Sequence, residues 1–192
     1  MVFPHSDEPM PLFSSKRERR LWAWTLAVVL AIYSTLGVAA TLAGVLRNRS
    51  LIDSFFVFGF LLVLATIATQ GLRTRPGGVE ICVALGVAAA YLMVFVRMAI
   101  PVEERTHLIE YGVVAVFIYE ALTERVSNGH RVPVPALLAV LATSLFGAID
   151  ECIQGILRSR VFETRDIMVN ILAGVMAVAA SVTLGWARRR SK

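Results

Sequence analysis

Six apolar blocks, at residues 21–46, 54–72, 79–100, 106–122, 133–154 and 166–187, leave this chain little besides short links to fold with. Each block is close to the roughly 17–25 residues that a helix needs to cross about 30 Å of hydrocarbon. Links such as RNRSLID, RTRPGG and TERVSNGHR are too short to hold a second folded domain. Backbone polar groups in lipid have to bond within the protein, which favours helices. The expected fold is all-α: an integral-membrane bundle of about six transmembrane helices.

Composition points the same way. Of 192 residues, 57% are hydrophobic and 17% charged, and the mean hydropathy is +0.69. A soluble domain carries about 25% charged residues. The net charge of +5 and pI near 9.8 raise the question of a nucleic-acid partner. The cationic side chains sit at block ends, with no continuous basic face, so no nucleic-acid partner is expected and membrane orientation accounts for them.

With the run KRERR at 16–20 placed inside, inside segments hold twelve Lys/Arg and outside loops six, Arg97 lying near an outer helix end. That bias predicts two cytoplasmic termini. The domain plan is then a flexible basic cytoplasmic tail over 1–20, one transmembrane domain over 21–187 and a basic cytoplasmic tail over 188–192. The first block is too long for a signal-peptide core and lacks an A-x-A-like site, so it is expected to be a retained anchor. Cys82 and Cys152 fall at opposite faces, which excludes a disulfide between them, and neither has metal-type spacing.

In the sixth block Asp166, Asn170, Gly174, Ala177, Ser181 and Gly185 recur at intervals of three or four. Helical periodicity puts them in one small, polar stripe, suited to close packing against other helices in lipid. Gly37, Ala40 and Gly44, and likewise Gly86 and Ala90, are further candidates for close packing. Trp22, Trp24 and Trp186 stand near expected cytoplasmic boundaries, where aromatic rings favour the interface.

Polar residues crowd between 150 and 170: Asp150, Glu151, Gln154, Arg158, Arg160, Glu163, Arg165, Asp166 and Asn170. In the six-span plan they lie at the outer boundary, where charge costs less than at the membrane centre. His107, Glu110 and Tyr111 open the fourth block from the same side, on one helical face. Three segments thus bring polar groups to one depth, as an outward-opening pocket would.

A helix cap accounts for Asp166 as well as a pocket does, and Glu163 and Arg165 read more readily as exposed loop charges than as site residues. Arg160 offers a planar fork for phosphate or carboxylate, or for Glu151 or Asp166. His107 and Glu151 are the acid–base candidates, and a hydrogen-bonded structural role accounts for His107 more readily. A lone histidine with no second one nearby is weak support for a metal, and no metal or cofactor is expected. Glu120 and Glu124 are expected to pair locally with Arg125 or Arg131. No Walker loop, G-x-S-x-G elbow or Cys/His zinc pattern occurs in the sequence.

The spacing Glu151-x-x-Gln154-x5-Arg160-x5-Asp166-x3-Asn170-x3-Gly174, preceded by His107-x3-Tyr111, resembles the VanZ-like family of bacterial membrane proteins. The resemblance covers about residues 103–180. One departure is Glu103-Glu104-Arg105, where that pattern leads to an expected acidic-basic pair such as Asp-Lys. The resemblance implies a multi-pass protein of the bacterial inner membrane, related to one associated with teicoplanin resistance.

On that basis the ligand-binding set is His107, Tyr111, Glu151, Gln154, Arg160, Asp166 and Asn170, and the ligand an envelope lipid or lipid-linked glycan. A membrane-embedded transferase or hydrolase acting on a phosphorylated lipid is the second expectation. A small transporter or flippase is the third, disfavoured because mid-helix residues are mostly Ala, Val, Leu and Gly.

Overall fold

The computed structural model describes residues 12–48, 76–97, 102–156 and 164–191. It contains five helices: α1 (Lys16–Asn48), α2 (Gly78–Arg97), α3 (Val102–Ser127), α4 (Pro135–Ile156) and α5 (Thr164–Arg190), with no strand among the described residues. The all-helical expectation holds. The block at 54–72 and the segment at 157–163, expected to be a loop, lie outside the described residues. Among the described residues two helices, Pro135–Ile156 and Arg165–Arg190, are long and apolar enough, by length and composition, to cross a membrane.

Helix boundaries follow local chemistry. α1 starts five residues before its apolar block, inside the stretch expected to be a tail, because Ser15 caps it: the Glu18 backbone N–H donates to Ser15 Oγ at 3.0 Å. The Glu18 carboxylate reaches back to accept from Ser14 N–H and Ser14 Oγ, both at 2.6 Å. α3 ends because Gly129 takes φ +85°, with His130 N–H donating to Arg125 O and Gly129 N–H to Val126 O. That pattern of a left-handed residue closing the last turn satisfies carbonyls that the helix leaves free.

α3 is the central element, packing on α1, α4 and α5. Its inward positions, Leu108, Tyr111, Val114, Ala115 and Ile118, recur at three- and four-residue spacing and meet Val29 and Ile32 of α1, Ala139 of α4, and Ala173, Ala177 and Val178 of α5. α5 approaches α4 closely through glycine. A Cβ on Gly147 would lie 2.6 Å from Asn170 Cβ, and one on Gly174 would lie 3.6 Å from Thr143. The Asp166 to Ala177 part of the small-residue stripe is buried as expected.

The other small-residue candidates fare differently. Gly86 and Ala90 are exposed, and nothing lies within 4 Å of a Cβ built on Gly86, so α2 packs on another face. The side chains at positions 37, 40 and 44 lie outside those described.

Two ends of the bundle differ in chemistry. At one end Arg17 donates to Glu120 at 2.8 Å and Glu124 at 2.9 Å, Arg125 donates to Glu18 at 2.9 Å, and Arg188 bonds Glu80 at 3.0 Å. The local pairing expected of Glu120 and Glu124 with Arg125 or Arg131 is replaced by pairing across helices, because the extra N-terminal turn of α1 brings Arg17 alongside α3. At the other end α3 begins, α4 finishes and α5 begins.

α4 is inverted relative to a helix on a soluble core. It buries Ala139, Thr143, Gly147, Asp150, Glu151 and Gln154, so that its interior is mostly polar toward its C-terminal half. It exposes Leu137, Leu141, Leu145, Ile149 and Ile156, each by 39% or more. An isolated exposed leucine is unremarkable, but a continuous apolar stripe over a polar interior is the pattern of a helix whose outer neighbour is not water.

Candidate functional site

Helical spacing builds the site from three short segments. On α4, Gly147, Asp150, Glu151 and Gln154 occupy one face and are buried. On α3, His107 and Tyr111 lie one turn apart and stack, with ring centroids 5.9 Å apart and planes 3° from parallel. On α5, Asp166 and Asn170 lie one turn apart and are buried. Of the seven expected ligand-binding residues, the structure therefore places six in the polar interior at one end of the bundle. The seventh, Arg160, lies outside the described residues, as do Arg158 and Glu163, while Arg165 is exposed.

The centre of the cluster is Asp150, which the sequence reading left out of the binding set. Its carboxylate lies 3.7 Å from His107 Nδ1, and both side chains are almost wholly enclosed, at 0% and 5% exposed. Glu151 accepts from Gln154 Nε2 at 3.4 Å. Tyr33 of α1 donates its hydroxyl hydrogen to Phe146 O at 2.8 Å and, like Tyr111, stands in the electrostatic neighbourhood of Asp150.

Asp150 had a legible signal. Positions 143, 147, 150, 151 and 154 form a single helical stripe, and the motif match, beginning at Glu151, drew the boundary one residue too late. Tyr33 had no such signal, since an isolated tyrosine in an apolar block carries no spacing information.

Polar capacity at the site exceeds the bonds made there. His107 Nδ1, Tyr111 Oη, Thr143 Oγ1, both Asp150 carboxylate oxygens and the Oδ1 and Nδ2 atoms of Asn170 are buried without a hydrogen-bond partner among the described residues. A buried polar group left unbonded costs about 1–3 kcal/mol, so a concentration of them in one place is unusual for a purely structural interior. The arrangement can hold a polar or charged ligand, relay a proton between His107 and a carboxylate, or coordinate a cation.

No protein-family model, curated protein or solved structure matches this chain.

Proposed function

We propose that the chain is a VanZ-like, multi-pass protein of the bacterial inner membrane, with both termini cytoplasmic, whose polar cluster binds the headgroup of an envelope lipid or lipid-linked glycan and thereby contributes to teicoplanin resistance. The observation that carries this reading is the inversion of α4: unbonded polar groups inside, a leucine stripe outside. Hydrocarbon accommodates that stripe, and a headgroup supplies partners for the polar interior. Arg160, in the link between α4 and α5, would pair with the anionic part of the headgroup. Glu151, Gln154 and Asn170 would orient it, Asp166 would hold Arg160, and His107 and Tyr111 would wall the site.

The test is growth of a teicoplanin-sensitive Gram-positive host expressing wild type, Glu151→Gln or Arg160→Ala, at matched membrane levels. Protection against teicoplanin exceeding that against vancomycin, and lost in both variants, is the expected result. A well-expressed wild type that gives no protection rejects the resistance reading.

Topology has a separate test in the two cysteines, both free and exposed. Cys82 lies near Glu80, which pairs with Arg188 at the basic end, whereas Cys152 stands beside the polar cluster. A membrane-impermeant maleimide on intact spheroplasts is expected to label Cys152 and spare Cys82 until the membrane is opened. The reverse labelling would turn the polar cluster to the cytoplasm and exclude an outward site.

A second reading is favoured by the spacing of His107 and Asp150. A histidine beside a buried carboxylate is the arrangement of an acid–base pair, and a membrane-embedded transferase or hydrolase acting on a phosphorylated lipid would use His107 or Glu151 in that role. Lipid extracts that change with overexpression of wild type but not of Glu151→Gln would favour it over simple binding.

A further inference from the structure

The distances within the cluster carry more than a general capacity for polar ligands. His107 Nδ1 and an Asp150 oxygen are 3.7 Å apart, too far for a hydrogen bond. Two ligands on one metal ion, each bonded at about 2.0–2.2 Å with tetrahedral to trigonal angles, stand roughly 3.3–3.8 Å from one another. One ligand atom each from His107, Asp150 and Glu151 lies within 4.8 Å of the other two, so small side-chain rotations would close the set around one ion. All three residues are buried, and Asp150, at 0% exposure, has neither oxygen hydrogen-bonded among the described residues.

We propose that His107, Asp150 and Glu151 form a site for one divalent transition-metal ion of the zinc or manganese type. One imidazole nitrogen and two carboxylate oxygens form a mixed donor set that suits these ions, whereas all-oxygen cages suit calcium and magnesium. Three protein ligands leave a fourth position open, the arrangement of metal sites that bind water or substrate rather than of closed structural ones. A neutral imidazole with two carboxylates also balances a dipositive ion, which lowers the cost of keeping two acidic side chains inside the bundle.

The surroundings fit. Tyr111 Oη and Thr143 Oγ1, buried and without hydrogen-bond partners among the described residues, are available to support the carboxylates as outer partners.

His107, with no second histidine near it, gives no metal pattern in the sequence because the other two ligands come from a different helix, 43 and 44 residues on. The site does not depend on the resistance reading: a metal-binding protein with no effect on teicoplanin would leave this proposal intact.

The experiment uses the full-length protein in detergent, stripped with a chelator and titrated with Zn²⁺ and with Co²⁺ as a coloured substitute. Uptake of about one ion per chain, a Co²⁺ visible band of low-symmetry coordination and a raised unfolding temperature are expected. His107→Gln and Asp150→Asn, which keep side-chain size, should each weaken binding by about a hundredfold or more, a loss at least at the upper end of that seen for outer partners alone. His130→Gln, in the turn after α3 at the basic end, should leave it unchanged. Wild type that stays folded and takes up no ion overturns the proposal, as does affinity that both cluster variants leave unaltered. Should either variant fail to fold, the wild-type stoichiometry and Co²⁺ spectrum decide alone.

Discussion

Replacing Gly147 with alanine is expected to destabilise the detergent-solubilised protein by about 1–3 kcal/mol, the usual cost of forcing a methyl group into a packed interior. The added Cβ would sit 2.6 Å from Asn170 Cβ and 2.8 Å from Asn170 Nδ2. The first of those atoms is fixed to the α5 backbone, so relief requires the two helices to separate. Gly147→Leu should give no folded protein. Two other glycines calibrate the result. Gly112→Ala would meet only Ala177 Cβ at 3.8 Å, ordinary contact, and Gly86→Ala would meet nothing within 4 Å. Gly86→Ala should stabilise α2 by about 0.5–1 kcal/mol through helix propensity. Thermal unfolding of the three alanine variants, read as recovery of monodisperse protein, checks the order. A Gly147→Ala protein as stable as Gly86→Ala would mean that α4 and α5 do not approach as closely as described.

That contrast shows what glycine spacing alone could and could not tell. The stripe on the sixth apolar block was legible because Asp166 and Asn170 gave it polarity as well as small size, and polarity in an apolar helix has to face inward. Gly86 and Ala90 are small without being polar. Small size permits close packing without requiring it, and α2 turns that face outward. Gly147 escaped notice for a related reason: its partner, Asn170, lies on another helix, and close approach between helices leaves no trace in the spacing within one.

The site divides along the same line. Groups sharing a helix, His107 with Tyr111 and Glu151 with Gln154, could be placed on common faces from their intervals. Their meeting at one end of the bundle followed from alternating helix direction, since short links force successive blocks to run antiparallel. Which carboxylate meets which histidine depends on helix rotation about its own axis, to within a single residue, and nothing in the sequence fixes that. Asp150 and Glu151 are neighbours differing by about 100° around α4, and the structure sets Asp150 against His107. At the basic end the S-x-x-E pattern at 15–18 is a helix-start signal that the expectation of a flexible tail over 1–20 passes over, whereas the meeting of Arg17 with Glu120 and Glu124 on another helix has no signal in the sequence.

The basic end should make stability depend on pH, chiefly through Glu18. Burial pushes its carboxyl upward, but hydrogen bonds from the Ser14 side chain and backbone, together with the Arg125 guanidinium, outweigh that and leave it below the ordinary value near 4.5. Glu124 is held low in the same direction, first by the Ser15 hydroxyl and, against a burial penalty, by Asn128 and Arg17. A carboxyl depressed in the folded state adds stability that is fully present above its unfolded value and is lost as pH falls through the folded one. Wild type is therefore expected to hold its unfolding temperature down to about pH 5, near the unfolded carboxylate value, and to lose it progressively below. Glu18→Gln keeps the shape but gives up the charge. It should cost about 1.5–3 kcal/mol at pH 7, the range for a hydrogen bond to a charged group, and the gap to wild type should close as the solution is acidified. Arg125→Met tests the partner. Because Ser14 supplies two of the three bonds, its removal should cost less than the loss of Glu18, and the double variant should fall short of the sum of the single losses. A gap between wild type and Glu18→Gln that stays constant down to pH 3 would place the effect of Glu18 in packing and remove its charge from the account of how α1 is fastened to α3.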